Sequence, residues 1–534
     1  MTFSRRDFLA RSLAASALAF APFERLAAAV RFRSEPFQLG VASGEPAADG
    51  FVLWTRVAPE PFEPGQLGTT VFELEWEVAT DRDFGRIAAS GTAFARPHLA
   101  HAVHVEVGGL APASEYFYRF RLGRYESPVG RAVTAPAAGA PAESLRFGIS
   151  SCAHYEQGFF AAYRHMAADG LDLMLALGDY IYEGSWGARR VRLFDVFDAV
   201  TLDDYRRRYC QYRTDPDLQA AHAACPWLVT WDDHEVANDY VGFTSEHELC
   251  GGEQVRESFP ARRAAAYKAW FEHMPVRPSR LLPGGAIRLW GTVDWGSLAR
   301  FYLLDTRQFR SPQACNPPPT EMRCDSVAGR KLRPGGTGGG GRVDPAEPAC
   351  KAALEDPSRT FLGEEQERWL DGAFGDSRAR WNLLAQAVMF APLIEGSRES
   401  PRVRTDNWSG YPAARERLLG SLARHRVANP VVLTGDVHAF AVNEVENARG
   451  QLQAAEFVAS SIAAETTNLA AQQPLNPRMV YQDSEHSGYV RFDVAPVRLR
   501  ADIVGIADMR DPRSGRETLA SFELVPGDPR PRRL

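Results

Sequence analysis

Between residues 38 and 135 apolar and polar positions alternate in short runs, among them Phe72 to Val78, His104 to Val107 and Tyr116 to Leu122, broken by Gly, Pro and Asp. A period of two turns one face of each run toward a core. With turn residues at this spacing, it predicts a small antiparallel β-sandwich of immunoglobulin or fibronectin type over 30–137. Ala135 to Ala142, rich in Ala and Pro, reads as a linker. Beyond it, unbroken apolar runs such as Leu171 to Leu177 alternate with helix-like stretches such as Phe159 to Ala168. Strands that are apolar along their whole length belong to sheets covered on both faces, so 144–525 is expected to form a large α/β domain. Within it, Gly335 to Gly341 and the three prolines of 333–348 predict a surface insertion. The run Tyr489 to Val504 alternates again and predicts returning strands, and 526–534 is expected to fray.

Composition adds little about chemistry but removes several classes of function. At 534 residues and 45% hydrophobic content the chain can bury a large core. A net charge of −6 gives no general affinity for nucleic acid or anionic membrane, so no stable nucleic-acid partner is expected. Ser4-Arg5-Arg6-Asp7-Phe8-Leu9, the apolar run Leu13 to Phe23 and Ala27-Ala28-Ala29 follow the order of a signal peptide, and the paired arginines select the twin-arginine kind. Residues 1–29 are therefore expected to engage the twin-arginine translocation machinery, and the mature monomer to be periplasmic or secreted with no transmembrane anchor. Seven cysteines are an odd number for an oxidising compartment. Cys152 ends an apolar run, whereas Cys210, Cys225, Cys250, Cys315, Cys324 and Cys350 lie in polar sequence and could form three bridges.

Four apolar runs end in metal-competent residues. Arg146 to Ser151 ends at Cys152; Leu171 to Leu177 ends in Gly178-Asp179-Tyr180-Ile181-Tyr182; Pro226 to Trp231 ends in Asp232-Asp233-His234-Glu235, with Asn238 beyond; and Pro430 to Thr434 ends in Gly435-Asp436-Val437-His438. The carboxyl ends of strands in an α/β sheet face one crevice, so separate strands can deliver these side chains to one point. Singly, each has a plainer explanation: a buried thiol at Cys152, a helix cap at Asp179, a loop of salt bridges at Asp233. Together they predict a binuclear site, with Asp179 able to bridge two cations and Asp436 and His438 able to serve adjacent ones.

At these residues the chain resembles the PhoD-like alkaline phosphatase and phosphodiesterase family within the metallophosphoesterases. The likeness extends to Gly40-Val41-Ala42-Ser43-Gly44-Glu45-Pro46, Val52-Leu53-Trp54-Thr55-Arg56, Leu304-Asp305-Thr306-Arg307 and Trp408-Ser409-Gly410-Tyr411-Pro412. It implies a four-layer metallophosphoesterase-like α/β sandwich, with sheets flanked by helices. It also implies Fe³⁺ on Cys152, Asp179, Tyr182 and His438, with Ca²⁺ in a neighbouring position that Asp179, Asp233, Asn238 and Asp436 suit as hard oxygen donors. Asp232 is a further site residue. Ser409 departs from the Asp the family often has there. The expected reaction is hydrolysis of a phosphate monoester or diester, His234 binding phosphate or donating a proton and Arg307 neutralising a phosphate oxygen. A phosphodiesterase acting on phospholipid head groups or teichoic-acid-like polymers is the nearest alternative, and a non-catalytic cell-surface-binding protein the most distant one.

Overall fold

A computed structural model describes residues 31–63, 65–187, 189–244, 258–315 and 341–534. The leader at 1–29, Cys250, Cys324 and most of the Gly-rich run lie outside the described residues. Strands Leu145–Ser150, Leu173–Leu177 and Trp227–Thr230 run parallel in the middle of a ten-stranded sheet. Every residue of Leu173–Leu177 and Trp227–Thr230 is buried, as strands covered on both faces require. A second sheet of seven strands holds Ala299–Leu303, Trp381–Ala385 and Pro430–Thr434, again mutually parallel.

Phe147, Ile149, Leu175 and Leu177 of the first sheet share one core with Phe301, Leu383, Val431 and Leu433 of the second. Phe147 meets Phe301 edge-on at 5.2 Å and stacks on Phe492 at 4.6 Å. The alternate side chains Met174, Ala176, Trp227 and Val229 pack with residues of helices Ala161–Ala168, Leu202–Arg213, Pro216–Ala224 and Phe259–His273. On the second sheet Tyr302, Leu384 and Val432 do the same with Glu364–Asp376 and Pro412–His425. Each large apolar side chain so buried stabilises the fold by about 1.5–3 kcal/mol. Helix starts are marked in the sequence: Thr201 and Asp204 form a reciprocal capping box, and Asp215 caps a helix whose first residue is Pro216.

The N-terminal region shares its backbone pairing with the larger one. Val41–Ala47, Gly50–Arg56 and Ala102–Val107 complete one side of the ten-stranded sheet, joined to Trp227–Thr230 through the parallel pair Gly44 and Trp227. A separate five-stranded sheet built on Phe72–Ala79 and Glu115–Leu122 faces them across a core that includes Phe51, Leu53, Leu74, Val78, Tyr118 and Phe120.

Three expectations need correction. Residues Asp528–Arg533 do not fray but pair with Arg516–Val525 as an outermost strand, where Pro529 and Pro531 are tolerated because one side needs no donor. Part of the 333–348 insertion is ordered: Arg342–Val343 pairs with Pro401–Arg404, and Pro348 opens a helix capped by Glu347. Cysteine parity also fails. Cys315 and Cys350 are bonded, but Cys210 and Cys225 are buried free thiols alongside Cys152. Cys210 takes a hydrogen bond from Arg56 Nη1 at 3.1 Å, and Cys225 packs into the helix-covered core, so neither is offered to a partner thiol.

Candidate metal centre

All four donor-bearing runs bring their ends to one place. The three parallel strands of the first sheet present Cys152, Asp179 and Asp232 to His234, and Pro430–Thr434 presents Asp436 and His438 from the second. The sheets are tied here: Thr230 Oγ1 donates to Leu304 O at 3.1 Å, and Ser151 bridges Ser461. Gly178 turns at φ +108°, and a Cβ there would stand 2.6 Å from Asp232, so the two strand ends close on each other only over glycine. Cys152, Asp179, Asp436 and His438 all adopt left-handed φ of 52–65° without being glycine. Such backbone costs about 1–3 kcal/mol per residue and persists where surrounding structure over-determines it, as at functional sites.

Asp179 is central. Its Oδ2 accepts from Tyr182 OH at 3.1 Å and lies 3.5 Å from Cys152 Sγ, while its Oδ1 accepts from the backbone of His234 at 3.3 Å. Tyr182 OH is 2.9 Å from His438 Nε2. His438 Nδ1 lies 2.9 Å from Glu465 O; a carbonyl only accepts, so Nδ1 carries the proton and Nε2 is left bare for a cation. Donor atoms of Cys152, Asp179 and His438 lie within 4.8 Å of one another, and so do those of Asp179, Asp233 and His234. Asp179 belongs to both groups. A third group, Asp233, Asp239 and Asp406, is faced by the buried guanidinium groups of Arg307 and Arg310.

The donor set suits cations. Burial drives the Cys152 thiol and Tyr182 phenol well above their usual ranges, and Asp179 is raised by burial and by Asp233, Asp232 and Glu235. Asp436 is pushed up to about 6 by burial and then by Asp233. Asp232 Oδ2 and Asp233 Oδ1 are buried without a hydrogen-bond partner. Cys152, Tyr182, Asp179, Asp232 and Asp436, raised in this way, hold protons that a metal ion would displace, whereas Asp233, though burial opposes its charge, is held below the usual carboxylate range by His234 and Arg307. Thiolate, phenolate and imidazole donors on one side, carboxylates on the other, match a softer and a harder cation.

Asp436 falls outside the three groups, although its charge acts on Cys152 and Asp232. Asn238 is held by its backbone N–H on Glu183 Oε1 at 2.8 Å. His234 Nδ1 is 2.8 Å from Glu183 Oε2, so Nδ1 carries a proton; burial opposes its charge, but Asp233, Glu183 and Asp179 together raise its pKa well above the usual value. Arg307 is fully buried, its Nε on Asp232 Oδ1 and its Nη1 on Asp406 Oδ1 at 2.9 Å, so its guanidinium underpins the carboxylates. Ser409 Oγ accepts from Leu393 N at 3.1 Å, tying its turn to the loop that follows Trp381–Ala385.

Three residues that sequence reasoning did not assign complete the site. Glu235, fully buried, accepts from the backbone of Asp179, Tyr180 and Asp232, locking two strand ends together. Glu183 orients His234. Asp406 receives both arginines, and the nearest signal was its place two residues before the Trp408 to Pro412 stretch.

An α/β fold with paired donor clusters at strand ends defines a metallohydrolase. Residues 147–503 match the PhoD-like phosphatase family and residues 24–136 its N-terminal domain. Alkaline phosphatase D of Bacillus subtilis (strain 168) is 41% identical over 552 residues, spanning 98% of this chain and 87% of that protein. A solved structure described as "Structure of PhoD" superposes with a TM-score of 0.84 at 40% identity, covering 93% of this chain and 92% of the other. The chain belongs to the PhoD-like phosphatase family, and it is a metal-dependent phosphoric ester hydrolase.

Proposed function

We propose that the protein is an exported, iron- and calcium-dependent phosphatase whose site is organised around Asp179. The observation that carries this reading is that this one carboxylate lies within 4.8 Å of the donor atoms of Cys152 and His438 and, on its other side, of the Asp233 carboxylate. Cys152, Asp179, Tyr182 and His438 would hold Fe³⁺, and Asp179, Asp233, Asn238 and Asp436 would hold Ca²⁺. When bound, the cations supply Lewis acidity toward the phosphate oxygens and toward water. His234 is oriented by Glu183 through Nδ1, which leaves Nε2–H to donate to the departing oxygen. Glu235 and Arg307 keep the strand ends in register. Cores between and outside the two large sheets support a four-layer reading of the catalytic region, and the core between the five-stranded sheet and the N-terminal strands supports an immunoglobulin-like reading of that region.

Chelation is expected to abolish hydrolysis of an aryl phosphate, and iron with calcium to restore it; elemental analysis of the native protein checks the pairing. Restoration by zinc alone would refute the metal assignment. Diester and monoester turnover measured side by side decides between phosphatase and phosphodiesterase.

No helix among the described residues is long and apolar enough to cross a membrane. Export of a folded monomer to the periplasm or beyond by the twin-arginine machinery rests on Arg5 and Arg6 with the apolar and small-residue stretches that follow. Replacing both with Lys is expected to leave folded precursor in the cytoplasm, seen by fractionation; undiminished export would overturn the assignment.

A further inference from the structure

The segment after Tyr182 passes directly beside the metal centre and carries one aromatic side chain that no step so far uses. Trp186 is half-buried and packs on three rings: His234 at 4.9 Å, Tyr182 at 5.1 Å and His154 at 4.8 Å between centroids. It is also held in place. Its carbonyl accepts from Gln157 Nε2 at 3.2 Å, and Gln157 Oε1 accepts at 2.7 Å from the backbone of Glu465, the residue whose carbonyl orients His438. Gln157 is buried, so this bridge indexes the indole to a metal-site imidazole. Ser185, just before it, donates to Glu156 Oε2 and accepts from Arg190. Gly187, just after it, turns at φ +102° where a Cβ would stand 2.7 Å from Gln157 Nε2. Further along the segment Leu193 and Phe197 are 68% and 63% exposed.

We propose that Trp186 forms a leaving-group subsite that favours phosphate esters of flat, apolar alcohols over esters of small polyols. The inference rests on the phosphoesterase reading and on His234 serving the departing oxygen. In hydrolysis the P–O bond to the alcohol breaks, a P–O bond to water forms, and the alcohol oxygen gains a proton. A substituent on the oxygen served by His234 lies beside the ring that packs on that imidazole. Aromatic groups interact at centroid separations of about 4.5–7 Å, so an aryl group attached there can stack or meet the indole edge-on. A polyol offers no such face.

The test compares phenyl phosphate with glycerol 1-phosphate in the metal-loaded enzyme and in Trp186→Ala and Trp186→Phe. The expected result is an about tenfold fall in the phenyl-to-glycerol ratio of kcat/KM for the alanine variant, at wild-type metal content, with the phenylalanine variant within about twofold of wild type. An unchanged ratio in Trp186→Ala would overturn the subsite, as would metal loss in both variants, which would make Trp186 a structural prop. Wild-type enzyme that hydrolyses neither ester would refute the underlying reading and the subsite with it.

Discussion

Asp179→Asn is expected to lower metal content and turnover together, the latter by more than about 10²-fold, the upper range for loss of a group that merely supports a ligand. The substitution removes a charge shared by two donor groups. The amide must also place an NH₂ where an oxygen accepts from either Tyr182 OH or the His234 backbone. Turned one way the amide sets NH₂ against the His234 N–H, and turned the other it makes Tyr182 OH accept and give its own proton to His438 Nε2. The backbone adds to the effect: left-handed φ at residue 179 is held by the Glu235 contacts to Asp179 and Tyr180, and side-chain bonds to Tyr182 and His234 reinforce them. His234→Ala provides the contrast. With Glu183 occupying Nδ1, loss of the imidazole should spare the metals and slow turnover by about 10²-fold or more, the size of a general-acid contribution. Elemental analysis and kinetics on both variants separate the roles. Full occupancy with near-normal turnover in Asp179→Asn would remove it from the centre, and metal loss in His234→Ala would make His234 a ligand.

The donor-bearing strand ends were legible because two independent patterns coincide there. An apolar run predicts a buried parallel strand, and the residues just past its end must then lie in the crevice where such strands finish. Cys152, Asp179, Asp233 and His438 could be placed together on that ground without coordinates. Glu183, Glu235 and Asp406 could not be given roles, since a carboxylate at the margin of a donor motif carries no sign in sequence of whether it will meet an imidazole, an arginine or three backbone amides. Arg307 shows the same limit. Its position after Phe301 to Leu304 identified a site arginine, but whether its guanidinium meets phosphate or protein depends on Asp406, about a hundred residues later in the chain.

The N-terminal region shows a different limit. Val41–Ala47 and Gly50–Arg56 are buried along nearly their whole length, and their sequence reads the same whether they close their own sandwich or extend a neighbour's sheet. The distinction lies in one pairing, Gly44 with Trp227. Cysteine parity failed for an energetic reason: Cys210 and Cys225 are stabilised as buried thiols by packing and by Arg56, so an oxidising destination does not oblige them to pair. In the C-terminal strand, Pro529 and Pro531 read as frayed sequence, although proline is compatible with an outer edge.

Arg307→Ala is expected to destabilise the fold by about 3–5 kcal/mol, the cost of breaking a buried ion pair by removing one partner. The side chain is wholly inaccessible and lies between Asp232 and Asp406, with Asp233 Oδ1 3.7 Å away. Truncation leaves the buried Asp232 without its ion pair and Asp406 with only Arg310 and Gln313. Lysine keeps the charge but not the fork that meets two aspartates at once, so Arg307→Lys should fall between alanine and wild type. Adding Asp406→Asn to Arg307→Ala should recover part of the loss, because it removes one of the orphaned charges. Denaturant unfolding measures all three, and the kinetics of the same proteins separate this role from phosphate binding. A residue that meets substrate would raise KM for aryl phosphate and leave unfolding within about 1 kcal/mol of wild type. That result would return Arg307 to the substrate and require the interior network to be held by Arg310 alone.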